Sequence, residues 1–248
     1  MAVARPGLPT ATAAAAAGER AGGIPPSAWI TALVLSIMPA LASDFFLVQV
    51  FGWALVLGTI ALSLQFLAGY GGMVSLVQMT VAGFAGYMVA ILGTSGLTQI
   101  SLGWPFWLAV PVAILLAVLF GTLSGALAVR TAGIYTIMIT LAIAAAFFYF
   151  TRQNETVFGG FLGFNGVRAP VFWGIDWRSP VPFYYLCLGW AAIAFGLVTW
   201  VIRAPFGLAL QGIRDNPRRM AALGFDVTAH RIAAYAFAAF LAAPAGTS

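Results

Sequence analysis

Arg214-Asp215-Asn216-Pro217-Arg218-Arg219-Met220-Ala221-Ala222-Leu223-Gly224 is the centre of a longer segment, Arg203 to Arg231. That segment is the only long, strongly charged one lying between two apolar runs. Asn216 is a good N-cap, Pro217 suits the first helical position, and Gly224 is the residue expected just past a C-terminus. The spacing predicts a two-turn helix over 217–223. Met220 and Leu223, three apart, give it an apolar side, and Arg218 and Arg219 give it a basic one. A short capped helix held between two hydrophobic spans is a handle, and it makes the rest of the chain an embedded bundle that something else can grip.

The composition agrees. Of 248 residues, 62% are hydrophobic and 7% charged, with mean hydropathy +1.00. Soluble domains carry about 25% charged residues, so this is an integral membrane protein. Net charge +5 comes from eleven arginines and no lysine against six acids. Without lysine there is neither a Walker A loop to hold phosphates nor a Schiff-base amine. One histidine, His230, and one cysteine, Cys187, leave no basis for a protein-only zinc site or an intrachain disulfide. No cofactor, no metal and no nucleic-acid partner is expected.

Residues 1–27, rich in Ala, Gly, Pro and Thr, read as a disordered tail, and 28–248 as the transmembrane domain. Apolar runs predict a first span over Ala28–Ala42, interrupted by Pro39, then spans over Phe45–Ala68, Met73–Leu92, Trp104–Val129, Ile134–Phe150 and Phe183–Ile202. A seventh starts at Ile232 and reaches Ser248, with Pro244 near its end. The second and third spans join through Gly69-Tyr70-Gly71-Gly72, where the chain turns or unwinds. Ala117, Gly121 and Gly125, four apart, form a stripe that lets another helix approach closely. A glycine-rich loop of about thirty residues, with Gly159, Gly160, Gly163 and Gly166, follows the fifth span.

Alternating spans and loop charge fix the orientation. With the N-terminus cytoplasmic, eight arginines face the cytoplasm (5, 20, 130, 203, 214, 218, 219 and 231), and three (152, 168 and 178) face outward. The capped helix is then cytoplasmic and the glycine-rich loop external.

No ionisable residue falls well inside spans two to six, which disfavours proton- or cation-coupled transport. Ser124 and His230 lie too far apart in the topology for serine-protease chemistry, so Ser124 reads as a packing residue and His230 as a solvated boundary residue. No enzyme activity is expected. Trp104, Trp107, Trp173 and Trp177 fit an interfacial belt. From the residues alone the basic helix has two readings: binding anionic lipid headgroups, or docking a soluble partner. The corresponding functions are a passive channel or structural membrane protein with a lipid-binding juxtamembrane helix, and a permease worked by a partner.

Three ordered stretches resemble one family. Leu64-Gln65-Phe66-Leu67-Ala68-Gly69-Tyr70-Gly71-Gly72-Met73-Val74-Ser75-Leu76 resembles the glycine-tyrosine turn and Ser-Leu that open the third span of M-type permease subunits of branched-chain amino acid ABC importers. Gly133 to Leu141, followed by Phe158-Gly159-Gly160 and Gly163 to Val167, is similar to that family's fifth span and external loop. Pro205-Phe206-Gly207, Ile213 to Asn216, and Leu223 to Val227 resemble its cytoplasmic coupling segment.

The resemblance implies an all-α, polytopic bacterial inner-membrane permease without an ATPase site. Its partners would be a second homologous permease, cytoplasmic ABC ATPases and an extracytoplasmic solute-binding protein, with substrate moved by alternating access. Asp215, Asn216, Pro217, Arg218, Arg219, Met220, Leu223 and Gly224 would then form the ATPase-coupling element within 203–231. Tyr70, Ser75, Gln78, Thr80, Tyr135, Thr136 and Thr140 are candidates for the substrate path, each also explicable as an interhelical hydrogen-bonding residue. The family commonly shows Gly-His where Val77 and Gln78 stand, and an acidic residue where Pro217 sits. It also continues beyond the seventh span, so the chain is expected to be C-terminally incomplete.

Overall fold

The computed structural model describes residues 35–39, 43–93, 102–131, 133–154, 158–160, 171–172, 175–176 and 179–247. The chain forms two compact units, Met1–Ala42 and Ser43–Ser248. In the first, residues 35–39 are helical; the predicted tail and most of the predicted first span lie outside the described residues.

The second unit is a helical bundle. Helix α1 (Asp44–Gly69) opens it, with a π-helical stretch at Leu47–Gly52. There α1 passes Phe183 so closely that a Cβ on Gly52 would lie 3.0 Å from its ring. Then come α2 (Gln78–Leu92), α3 (Phe106–Ala128) and α4 (Ile134–Gln153). A two-residue antiparallel ladder, Val171–Phe172 with Ile175–Asp176, precedes α5 (Pro180–Arg203). The chain ends in α6 (Pro205–Asp215), α7 (Pro217–Ala222), α8 (Val227–Ala242) and a 3-10 turn at Pro244–Gly246. Among the described residues four helices, α1, α3, α4 and α5, are long and apolar enough to cross a membrane.

Helix α3 shows why its sequence lacks a polar face. Ala109, Ala113, Ala117, Gly121 and Gly125 form a buried ridge, and Leu115, Leu119, Leu123 and Leu127 form an exposed one. Small residues face protein and large ones face outward, the arrangement lipid permits. A Cβ on Gly121 would lie 2.4 Å from the Ala239 Cβ, and one on Gly125 2.4 Å from the Tyr235 Cβ, so the stripe read from the sequence is the seat of α8. Phe84, Phe120 and Phe147 cluster between α2, α3 and α4, with Phe158 and Tyr87 joining at the far end.

Four span boundaries differ from expectation. The third span is not helical from Met73: Gly72 has φ +64°, and 73–77 form no regular element before α2 starts at Gln78, with Met73, Ser75 and Val77 buried and Val74 and Leu76 exposed. The fifteen residues of α2 rise only about 22 Å, and the irregular leg at 73–77 carries the chain on to the glycine turn. α4 continues three residues past Phe150, bringing the Arg152 guanidinium 5.1 Å from the Phe148 ring. α5 starts at Pro180, ahead of the expected Phe183. α8 begins five residues before Ile232, because the Asp226 carboxylate accepts a hydrogen bond from Ala229 N at 3.0 Å and caps it.

The bundle has two distinct ends. The α1–α2 turn, the α3–α4 turn and the α6–α8 segment share one end, joined by Arg214 and by a cleft described below. The α2–α3 connection and Phe158 meet at the other, where Leu102 N donates to Ile91 O. The described arginines of the positive-inside count, from Arg130 to Arg231, thus lie at one end and Arg152 at the opposite one.

Candidate functional site

The charged segment folds as two helices before α8. α6, absent from the sequence-based expectation, is amphipathic: Gly207, Ala209, Leu210 and Ile213 are buried, while Leu208 is 62% exposed. α7 follows with the predicted cap, the Asn216 side chain accepting from Arg219 N at 3.0 Å. Pro217 takes the first helical position, and the helix ends at Ala222 with Leu223 as its C-cap. Gly224 has φ +91°, and Phe225 N donates to Met220 O at 3.1 Å, closing the C-terminus as a Schellman motif.

The expected apolar side of α7 is split. The Met220 thioether turns back onto α6, where a Cβ on Gly212 would be 2.8 Å from its sulfur. Leu223 points outward, 66% exposed, beside exposed Arg218 and Arg219. The result is a protruding knob fixed at both ends, with one large apolar side chain and two cations on its free surface. His230 is half-buried at the start of α8: it stacks on Phe206 at 5.8 Å and meets the Phe225 ring edge-on at 5.8 Å.

Two connections run inward from the knob. Arg214, at the end of α6, donates from Nη1 to Gly69 O and pairs with Asp215 at 3.0 Å. A Cβ on Gly72 would meet the Arg214 Cγ at 2.5 Å, so the glycine turn is the socket for this side chain. The second connection is α8, whose Tyr235 is fully buried against Gly125 and neighbours Ser75.

Both connections end at one buried polar layer. Ser75 is fully buried on the irregular leg after the glycine turn, and its hydroxyl accepts from Val77 N at 3.4 Å. Thr140 is fully buried on α4 and accepts from Leu76 N at 3.3 Å, satisfying a backbone group that the missing helical turn leaves free. Gln78, 1% exposed, opens α2 with neither its amide nitrogen nor its amide oxygen bonded. The Tyr235 hydroxyl is likewise buried without a partner of hydrogen-bonding geometry.

The other predicted path residues divide. Thr136 is buried at the start of α4, donating to Thr131 O at 3.1 Å. Tyr70 is half-buried beside Phe66, ring centroids 6.3 Å apart, and Thr80 is half-buried on α2. Tyr135 is 65% exposed. The structure thus gathers Ser75, Gln78 and Thr140 and adds Tyr235, Arg214 and Arg231, none of which the sequence marked as site residues. Their signal was present for α8: Arg231, Tyr235 and Ala239 recur every four residues, matching the spacing of Gly125 and Gly121.

A polytopic helical membrane protein with a rigid knob at one end of its bundle has the form of a transport subunit. The chain belongs to the family described as branched-chain amino acid transport system / permease component, whose profile matches residues 46–248. It is similar to the high-affinity branched-chain amino acid transport system permease protein LivM of Escherichia coli K12, 23% identical over 202 residues that cover 72% of this chain and 48% of the relative. The Salmonella typhimurium LT2 protein of the same name is 24% identical over the same coverage. The chain spans about half the length of these curated relatives. No solved structure matches it.

Proposed function

We propose that this chain works as a permease subunit of an ATP-driven ABC importer for branched-chain or related small amino acids, in a bacterial inner membrane with its N-terminus cytoplasmic. Its partners would be a second homologous permease, cytoplasmic ATPases that seat α7, and an extracytoplasmic solute-binding protein. Asp215, Asn216, Pro217, Arg218, Arg219, Met220, Leu223 and Gly224 form the coupling element in this reading. The positive-inside bias of the arginines supports the orientation.

The observation that carries the reading is the convergence of both inward connections on one layer. A displacement of α7 passes through α6 and Arg214 to the turn that holds Ser75 and Gln78. It also passes through α8 to Tyr235, which neighbours Ser75. A partner that grips the knob differently in two nucleotide states therefore moves both walls of the polar layer, as alternating access requires. A lipid-binding helix has no use for two rigid linkages to a buried layer.

The test is the double replacement R218A/L223A in a reconstituted assembly with the ATPases and binding protein. Loss of solute-stimulated ATP hydrolysis, with the permease still folded in the membrane, is the expected outcome. Unaltered hydrolysis would remove the docking role and favour a passive channel or lipid-anchored protein.

A further inference from the structure

All the buried side-chain nitrogen and oxygen atoms without a hydrogen-bond partner among the described residues belong to three residues: Gln78, Arg231 and Tyr235. Native proteins leave few such atoms, and each calls for a water, an ion or a function. Two of the three lie on one helix face. Arg231 and Tyr235 are one turn apart on the inner face of α8, and the Tyr235 hydroxyl lies beside Ser75 and within electrostatic reach of the Arg231 guanidinium. Gln78 opens the helix that Ser75 leads into.

Arg231 also lines a cleft of about 300 Å³, bordered by Gly72, Thr131, Gly133, Thr136 and Ile137. That volume is at the lower end of the range small-molecule sites occupy. The lining contains one cation and no acid. The single ion pair among the described residues is Arg214–Asp215, so Arg231 is not neutralised by a carboxylate of the described chain. The N-terminal end of the twenty-residue α4, which no side chain caps, opens on the same cleft and adds its positive dipole end. The guanidinium's Nε is buried and unpaired, a donor held out of water. A half-buried guanidinium with a free Nε donor, hydroxyl neighbours and no acid beside it favours a carboxylate.

Resting on the permease reading, we infer that Arg231 is the carboxylate-binding group of a subsite at the knob end of the bundle, and that Tyr235 and Gln78 continue the solute's polar route inward from it. The ligand class is a small aliphatic α-amino acid, held by its carboxylate. The cleft is at the end assigned to the cytoplasm, so the subsite receives solute on its way out of the bundle.

The test is arginine footprinting on the purified wild-type chain in lipid nanodiscs. Phenylglyoxal adducts are mapped by mass spectrometry with leucine, with leucinamide, or with neither. At about ten times its half-protecting concentration, leucine slows Arg231 modification about tenfold by mass action. Leucinamide, with the same side chain and amine but no carboxylate, leaves the rate unchanged, and Arg218 and Arg219 react at the same rate throughout. Equal protection by leucinamide, no protection by leucine, or an Arg231 that the small dicarbonyl never reaches would each overturn the assignment. No ATPase enters this measurement. Protection without ATP-driven uptake keeps the subsite and removes the permease reading; ATP-driven leucine uptake with an unprotected Arg231 removes the subsite alone.

Discussion

The Arg214 guanidinium donates a hydrogen bond to the Gly69 carbonyl, 145 positions earlier in the chain. This contact ties the segment that carries the exposed knob to the turn where the third span loses its helix. A hydrogen bond to a charged group contributes about 1.5–3 kcal/mol when well formed. The Arg214 side chain is 42% exposed, which favours the lower end. R214M is expected to lower the thermal midpoint only modestly while strongly reducing ATP-coupled uptake. Parallel thermal-unfolding and uptake measurements check this, and a variant with normal coupling would show that the tie is structural only.

Gly121 and Gly125 admit α8, and each leaves no room for a methyl group. G125A places a carbon 2.4 Å from the Tyr235 Cβ and is expected to cost about 1–3 kcal/mol through overpacking. Gly189 and Gly196, on α5, have nothing within 4 Å of an added Cβ. Alanine there is expected to be neutral or to stabilise by up to about 1 kcal/mol. Unfolding of the four single variants in one detergent tests the contrast.

Gln78 buries an amide whose donors and acceptor find no partner, a cost of about 1–3 kcal/mol for each unsatisfied group. Q78M removes that cost at similar volume. Its thermal midpoint is expected to rise while solute transport falls. A drop in stability would mean that the amide is satisfied and structural.

N216A removes the oxygen that caps α7 through Arg219 N and is expected to cost about 1 kcal/mol. Because α7 packs on the body through Met220 alone among its half-buried residues, the effect is local. Amide hydrogen exchange is expected to accelerate at Arg219 and its neighbours and to stay unchanged in α3.

What could be read from the sequence was whatever depends on local chemistry. Asn216, Pro217 and Gly224 dictate a cap, a first turn and a stop, and the helix between them is where that reading put it. Ala117, Gly121 and Gly125 signalled close approach without saying to what. α6 was illegible because Gly207 and Gly212 argue against a helix, and both are there for contact: Gly207 against Val201 and Ile202, Gly212 against Met220. The non-helical leg at 73–77 was hidden by its own hydrophobicity, since a short apolar run does not by composition tell helix from other buried backbone. Arg231 read as one of the cytoplasmic loop charges, and nothing in the sequence reading singled out Tyr235. Their isolation from hydrogen-bond partners is a property of the folded packing, which no local pattern encodes.

The central claim, a lipid-embedded bundle worked from the cytoplasm through α7, is tested most directly at Leu223, the most exposed apolar side chain of the knob. In a background where Cys187, buried in α5, is replaced by alanine, L223C is treated in intact cells with a membrane-impermeant maleimide. The account predicts no labelling until the membrane is permeabilised, and full labelling afterwards. Labelling of Leu223→Cys in intact cells would put the knob outside and contradict it.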